Sequence, residues 1–395
     1  MESQSVSFRV AYEEFESAVA WVARSLPSKA AQPVLRAMVI TADAAGLELA
    51  GFDYEISTRT RVPAEVDDEG CFAVAGRLIA DIVKNLPKKP VELKVKGSKA
   101  LLKCGSAHFE LPTIPLDDYP KLPDMPEVTG TVTPSLLAEA IDQVSAAAGR
   151  DDTLPMLTGI NMKIDGEKIR LAATDRFRLA VRTLEWEPSS PGVSADLLIP
   201  AKSLQENAGA LNPSSPDPVK ISVGTGESIG AEGLFGLQMD DRQTTTRMLD
   251  ADFPNITPLI PKSHTAIATV DIAELQDVIR RVSLVTDRNA QIRMEFSEKE
   301  LVVSAGGTDS AHAEESIPAA FVGRDTFLTA FNPSYLKDGL KALRSDRVVF
   351  GFTEPSRPAI LIPEPEEMPT AGADGSFPSP ETHFTYLLMP VRLPG

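Results

Sequence analysis

Ile169-Arg-Leu171-Ala-Ala173-Thr-Asp175 follows the two-residue period of a strand and stops at an aspartate, a residue suited to turns. The same form stands 122 residues earlier, in Leu47-Glu-Leu49-Ala-Gly51-Phe-Asp53. It returns in Leu301-Val-Val303-Ser-Ala305, which leads to Thr308-Asp309, 134 residues past Asp175. After each aspartate a second alternation begins. A period near 130 residues in a chain of 395 predicts three copies of one unit.

Further landmarks keep the same spacing. Before each strand pair lies a helical pattern. Phe15, Val19 and Val22 stand at i, i+4, i+7, and Leu137, Ile141 and Val144 repeat this over 135–147, behind Thr133 as cap and Pro134. Leu275, Ile279 and Val282 repeat it over 272–283, behind Asp271 and Glu274 in capping-box spacing. After each strand pair comes a second helix: Ile79, Val83 and Leu86 match Leu204, Ala208 and Leu211, then Leu336, Leu340 and Leu343. Breakers follow at Pro87 and Asn212-Pro213, then strands over 91–95, 219–223 and 348–352. Each unit thus reads helix, strands, helix, strands. The prediction is an α+β fold of three repeated domains, 1–127, 128–262 and 263–395, each with two helices packed on an antiparallel sheet. The first two end alike, at Asp117-Asp-Tyr119-Pro120 and Ala251-Asp-Phe253-Pro254, in proline-rich linkers over 113–130 and 247–265 that each carry one anchoring aromatic. The third carries an insertion at 364–381, rich in Pro, Gly, Glu and Ser, expected to be a mobile loop.

Composition narrows function. With 43% hydrophobic and 24% charged residues the chain is globular, not disordered. No stretch reaches the ~20 apolar residues that span a bilayer, and Met1-Glu2-Ser3-Gln4-Ser5 has no secretory pattern. The expectation is a cytoplasmic protein without membrane partners. Two cysteines, Cys71 and Cys104, exclude a disulfide framework, and four scattered histidines have no metal-ligand spacing. Gly224-Thr-Gly226-Glu-Ser-Ile-Gly230 lacks the Gly-Lys-Ser/Thr of a phosphate loop and reads as a hairpin. Asp151-Asp152 and Asp250/Asp252 read as loop or capping carboxylates. No nucleophile, base and orienter stand together, so neither catalysis nor cofactor nor metal is expected. The net charge of −17 argues against nucleic acid only if the charges are evenly spread.

The triplication, Thr174-Asp175-Arg176-Phe177-Arg178-Leu179-Ala180 and the ending Tyr386-Leu387-Leu388-Met389-Pro390-Val391-Arg392-Leu393 together resemble the bacterial sliding clamps, the beta subunits of DNA polymerase III. The resemblance covers essentially the whole chain. It implies a non-enzymatic processivity factor: a head-to-tail homodimer whose six domains close a ring around duplex DNA without reading its sequence. The polymerase, the clamp loader and other proteins carrying clamp-binding motifs dock in a hydrophobic peptide cleft. Carried over, the cleft comprises Leu157, Thr174, Arg178, Leu179, Pro254 and Leu259 on one side and Tyr335, Leu387, Met389, Pro390, Val391 and Arg392 on the other. Arg178 and Arg392 would hold peptide carbonyls or acids. Arg176-Phe177 stands where many clamps have Gly-His, Leu154 where the family has an arginine, and Pro394-Gly395 extends the usual end, so peptide preference is expected to differ.

The ring also removes the charge paradox. Acids on the rim leave a basic hole intact, because phosphate attraction fades beyond roughly 8 Å at physiological salt. The DNA-facing candidates are Arg24, Lys29, Lys84, Lys88, Lys89, Arg150, Lys202, Arg280, Arg281, Lys337 and Lys341; the second copy is poorer, with Glu139 and Asp142 on its first helix. Phe109 and Leu111 on a predicted edge strand, and Leu284 in the third copy, are the candidates for the dimer joint. The rival readings are a triplicated acidic metabolite-binding enzyme and an interaction scaffold that does not encircle DNA.

Overall fold

The computed structural model describes residues 5–27, 30, 32–209, 211–224, 233–286, 290–306, 311–323 and 325–392. Its helices are α1 (Tyr12–Ser25), α2 (Gly76–Lys84), α3 (Pro134–Ser145), α4 (Pro155–Thr158), α5 (Ala201–Ala208), α6 (Ile272–Val282) and α7 (Pro333–Leu343). Six of them are the two predicted per repeat; α4 is a single extra turn. The apolar stripes face the core: Phe15, Val19 and Val22 of α1 and Leu275, Ile279 and Val282 of α6 are all buried. Asp271 caps α6, its carboxylate accepting the Glu274 N–H at 2.9 Å. Leu86 and Leu211 are buried but lie past their helix ends, where Pro87 and Pro213 stop the chain.

One element escaped the sequence reading three times. A strand precedes the first helix of every repeat: Val6–Val10, Val128–Val132 and Ala266–Asp271. Each pairs with the strand after that repeat's second helix, Val91–Lys96, Val219–Val223 or Arg347–Phe352. The helix is thus an insertion in a sheet, not its beginning.

The chain divides into two compact units. One comprises residues 1–138, 186–193 and 202–249, the other 139–185, 194–201 and 250–395, so the middle repeat is shared between them. Among the described residues, the first unit carries a 14-stranded sheet, and the second a nine-stranded, a four-stranded and a two-stranded sheet. Both large sheets run across a repeat boundary. In the first unit, Ile56–Val62 of repeat one pairs with Arg242–Arg247 of repeat two. In the second, Arg178–Glu185 of repeat two pairs with Phe384–Leu388 of repeat three.

The anchoring aromatics sit as expected. Tyr119 packs over Ala37, Val39 and Ala73. Phe253 packs over Ala172, Leu179 and Leu387. The insertion is pinned: Phe377–Pro378 pairs with Ser263–His264, and Phe377 is buried. Of the glycine-rich segment after Gly224, residues 225–232 lie outside the described residues, as does Thr308-Asp309. Among the described residues no helix is long and apolar enough to cross a membrane.

Candidate functional site

The turn after Thr174 is built by short polar side chains. The Asp175 carboxylate accepts the N–H groups of Phe177 and Arg178 at 3.0 and 3.1 Å. The Thr174 hydroxyl donates to the Arg178 carbonyl at 2.7 Å. This throws Arg176 into the left-handed region, φ 79°, and leaves Phe177 half exposed. Thr174 is therefore buried scaffolding of the turn rather than an open cleft wall.

Arg178 enters the strand behind this turn and is also buried. Its Nε donates to Asp175 at 3.0 Å and its Nη1 to Asp338 of α7 at 2.6 Å. The guanidinium lies 4.4 Å over the Tyr335 ring. Burial pulls it toward neutrality, but Tyr386, Asp338 and Asp175 outweigh that and hold it charged. Arg178 is thus paired within the chain through Nε and Nη1, while it also lines the groove described next. Tyr386 donates to the Tyr335 carbonyl at 2.9 Å, and burial pushes its hydroxyl pKa up. Gly339 permits this contact, because a Cβ there would stand 2.4 Å from the Tyr386 ring. Asn332 caps α7 through the Ser334 and Tyr335 N–H groups. Phe177 stacks on Tyr335 at 6.1 Å between centroids.

A groove of about 570 Å³ opens beside this cluster. One wall is Phe177, Tyr335 and the Asp175–Arg178–Asp338 node; the other is the loop carrying Arg150, Leu154 and Leu157. That loop is fixed by Gly149 N–H donating to the Leu157 carbonyl at 2.7 Å and by Asp151, which accepts from Thr153. Of the predicted cleft residues, Leu157, Arg178 and Tyr335 line this groove. So does Arg150, which was assigned to DNA. Phe177, Leu154 and Asp338 complete it.

Leu179 and Leu387 face each other across paired strands and are 1% and 2% exposed. Phe253, Ile256 and Ile260 of the second linker pack onto them. They are a covered floor rather than the open wall expected from the sequence. Pro254 and Leu259 are exposed on that linker, and Met389 and Val391 are exposed past the last strand. Met389 N–H donates to the Phe177 carbonyl at 2.9 Å, and Val391 N–H to Ala330 at 2.8 Å. Pro390 is half-buried between them and Arg392 is exposed.

Three family models of the DNA polymerase III beta subunit match this chain: the N-terminal domain over 6–123, the central domain over 131–255 and the C-terminal domain over 257–371. The beta sliding clamp of Streptomyces coelicolor is 43% identical over 390 residues, 99% of this chain and all of that one. The chain belongs to the DNA polymerase III beta subunit family. Among solved structures, the sliding clamp of Bacillus subtilis superposes with a TM-score of 0.87 at 25% identity, over 98% of this chain and 99% of that one. The Pseudomonas aeruginosa clamp bound to griselimycin gives 0.85 at 24% identity, over 98% of this chain and all of that one. The fold is three clamp domains with helices packed on antiparallel sheets.

The family's ring is expected to show free cations and free edges. Arg24, Lys84, Lys88, Lys89, Lys202, Lys337 and Lys341 are exposed with no ion pair among the described residues; Lys29 lies outside those residues. Arg280 pairs with Asp277 at 2.9 Å. Arg281 donates from both Nε and Nη2 to the Glu315 carboxylate, at 2.9 and 2.6 Å. Glu139 and Asp142 on α3 are partners of Arg344, at 3.6 and 2.6 Å. Leu111 is corrected. It is buried in the first repeat's core, whereas Phe109 on the same strand is 36% exposed and Leu284 is 81% exposed.

Proposed function

We propose that two copies of this chain close head to tail into a ring that encircles duplex DNA and tethers the replicative polymerase, the clamp loader and other clients. The supporting observation is a missing seam. The strand after the turn in repeat one joins the last strand of repeat two, and the corresponding strand of repeat two joins the last strand of repeat three. The corresponding strand of repeat three, His312–Pro318, is the terminal strand of its sheet. Among the described residues, the last strand of repeat one, Ala107–Ile114, meets Gly70–Ala75 only at Thr113 and Ile114, so residues 107–112 leave one edge unpaired there. An unpaired edge invites another strand. Joining these two edges between protomers, twice, leaves neither of them open. Phe109 lies on one edge, and Leu284, in the turn after α6 that packs by Glu300–Gly306, stands by the other.

The repeat boundaries 1–127, 128–262 and 263–395 are the domains of this ring. Its helices, with the turn after α2, present Arg24, Lys84, Lys88, Lys89, Lys202, Lys337 and Lys341 to phosphates, each a weak contact without base readout. Client peptides lie along the groove of Leu157, Phe177 and Tyr335 and over the linker and C-terminal residues Pro254, Leu259, Met389 and Val391. The protein works by topology and tethering, without catalysis, in the cytoplasm.

The test is loading onto nicked circular DNA with a cognate loader. The protein is expected to co-elute with the circle at a salt concentration that removes simple electrostatic binding, and to leave after linearisation. Retention on linear DNA, or none on the circle, would overturn the reading.

A further inference from the structure

We propose that the cavity beneath the 364–381 insertion is a second half of the client site, taking an aliphatic side chain from the segment that flanks the groove-bound part of a client peptide. This rests on the client reading above. The cavity holds about 630 Å³ on the outer face of the nine-stranded sheet. Its floor is Val349, Ile360 and Ile362, its far side Ile267, its rim Thr183 and Thr385.

Its continuity with the cleft is written in the sheet register. Leu179 lies opposite Leu387, Leu387 opposite Ile360, Ile360 opposite Gly351, and Gly351 opposite Ile267. Directly paired residues point to one face, so these five form a single row across the strands. The row begins under the expected cleft and ends inside the cavity. Ile260 of the linker packs against both ends, on the Leu179–Leu387 cluster and on the Val349–Ile360–Ile362 cluster. Adjacent strands lie about 4.8 Å apart, so Leu387 to Gly351 is about 10 Å, which three extended residues span.

The roof is fixed without filling the space. Ser379 N–H donates to the Lys262 carbonyl at 3.0 Å and the Ser379 hydroxyl to the Pro261 carbonyl at 2.7 Å. With its hydrogen so committed, the hydroxyl oxygen accepts from His264 Nε2 at 2.8 Å. The imidazole lies against Gly351, where a Cβ would meet it at 2.7 Å. Burial holds the His264 pKa down to about 4, so this imidazole is neutral at pH 7; the charged residues of the lining are Lys168 and Glu381. Val349, Ile360, Ile362 and Ile267 are themselves only 2–5% exposed, but Phe377 is buried beside the pins and does not line the cavity, so the space above this aliphatic floor is left for a guest.

The probe is a polymerase C-terminal peptide long enough for the groove alone, and the same peptide lengthened at either end by four residues carrying a leucine or, as control, alanine. Titrated against the full-length protein, one leucine peptide is expected to bind at least about tenfold tighter than its alanine control and the short peptide. It should shift the Ile267 and Ile362 methyl resonances, which the short peptide leaves in place. Thr385→Phe, at a half-exposed rim position, should bring the leucine-to-alanine ratio to about one. Equal affinities of leucine and alanine peptides, or a gain with unmoved isoleucine methyls, would overturn the inference. Should a lengthened peptide bind where the short one fails, the cavity stands and the groove reading falls; silence from all of them removes both.

Discussion

The seam between repeats one and two and the seam between repeats two and three share one plan and differ in what fills it. Each starts at an aspartate turn: Asp53 accepts the Glu55 and Ile56 N–H groups at 3.0 and 2.8 Å, as Asp175 accepts those of Phe177 and Arg178. Each turn forces a non-glycine residue into the left-handed region, Tyr54 at φ 73° and Arg176 at 79°. The first seam is then sealed by hydroxyls. Ser57 and Thr245 are 2.6 Å apart, Ser25 and Thr58 likewise, and Thr60, Thr244 and Thr246 are buried. The second is apolar, Leu179 against Leu387 and Ala180 against Tyr386. Where the first begins with Ile56, the second begins with Arg178 and its two carboxylates. A hydroxyl seam satisfies itself. An apolar seam needs a cover, which the linker provides over part of it, and the charged node at its head props open a groove. Quasi-equivalent joints can therefore be structural in one place and receptive in another.

The third seam should respond most. Phe109→Asp with Leu284→Asp is expected to raise the dimer dissociation constant at least ~1000-fold, since burying two carboxylates at a joint of apolar anchors removes their contacts and adds desolvation. Light scattering at micromolar concentration would report monomers; an intact dimer would place the joint elsewhere. Next is Arg178→Ala, which strands the mostly buried Asp175. It should cost roughly 3 kcal/mol in urea unfolding, more than Ile56→Ala at the matching position. Equal costs would mean that the charged node does not distinguish the seams.

A smaller effect is expected from Ser57→Ala, which leaves a buried threonine hydroxyl unpaired, at about 1–2 kcal/mol; Ser57→Ala with Thr245→Val should recover part of it. A double-mutant cycle with no coupling would show that the hydroxyls do not seal that seam. Smallest are Tyr54→Gly and Arg176→Gly. Relief of the left-handed conformation, offset by glycine's greater unfolded entropy, should stabilise each by up to ~1 kcal/mol. Thermal midpoints would show the two gains to be alike if the turns are equivalent, and unlike if Arg176 is held by contacts that Tyr54 lacks.

Periodicity determined much of this protein from sequence alone. Helices, most strands, the three repeats and the two anchoring aromatics follow from local spacing, because alternation and i, i+4 stripes report which side of one element is buried. Part of the site was legible through the family resemblance, which named Leu157, Arg178 and Tyr335, and these three line one groove. The strand ahead of each first helix was not, because five or six residues of alternation are too few to stand out beside a helix start. Spacing also could not tell that Leu179 and Leu111 are covered, that Arg178 and Arg281 are already paired, or that Arg150 joins the groove. The contacts of Arg178 with Asp338 and Tyr386 and of Arg281 with Glu315 join residues 160, 208 and 34 positions apart. Which strand meets which across a repeat boundary, and so which edge is left open and where the sheet's outer face becomes a cavity, was decided only when distant segments were brought into register, because a strand's alternation specifies its faces and leaves its neighbours undetermined.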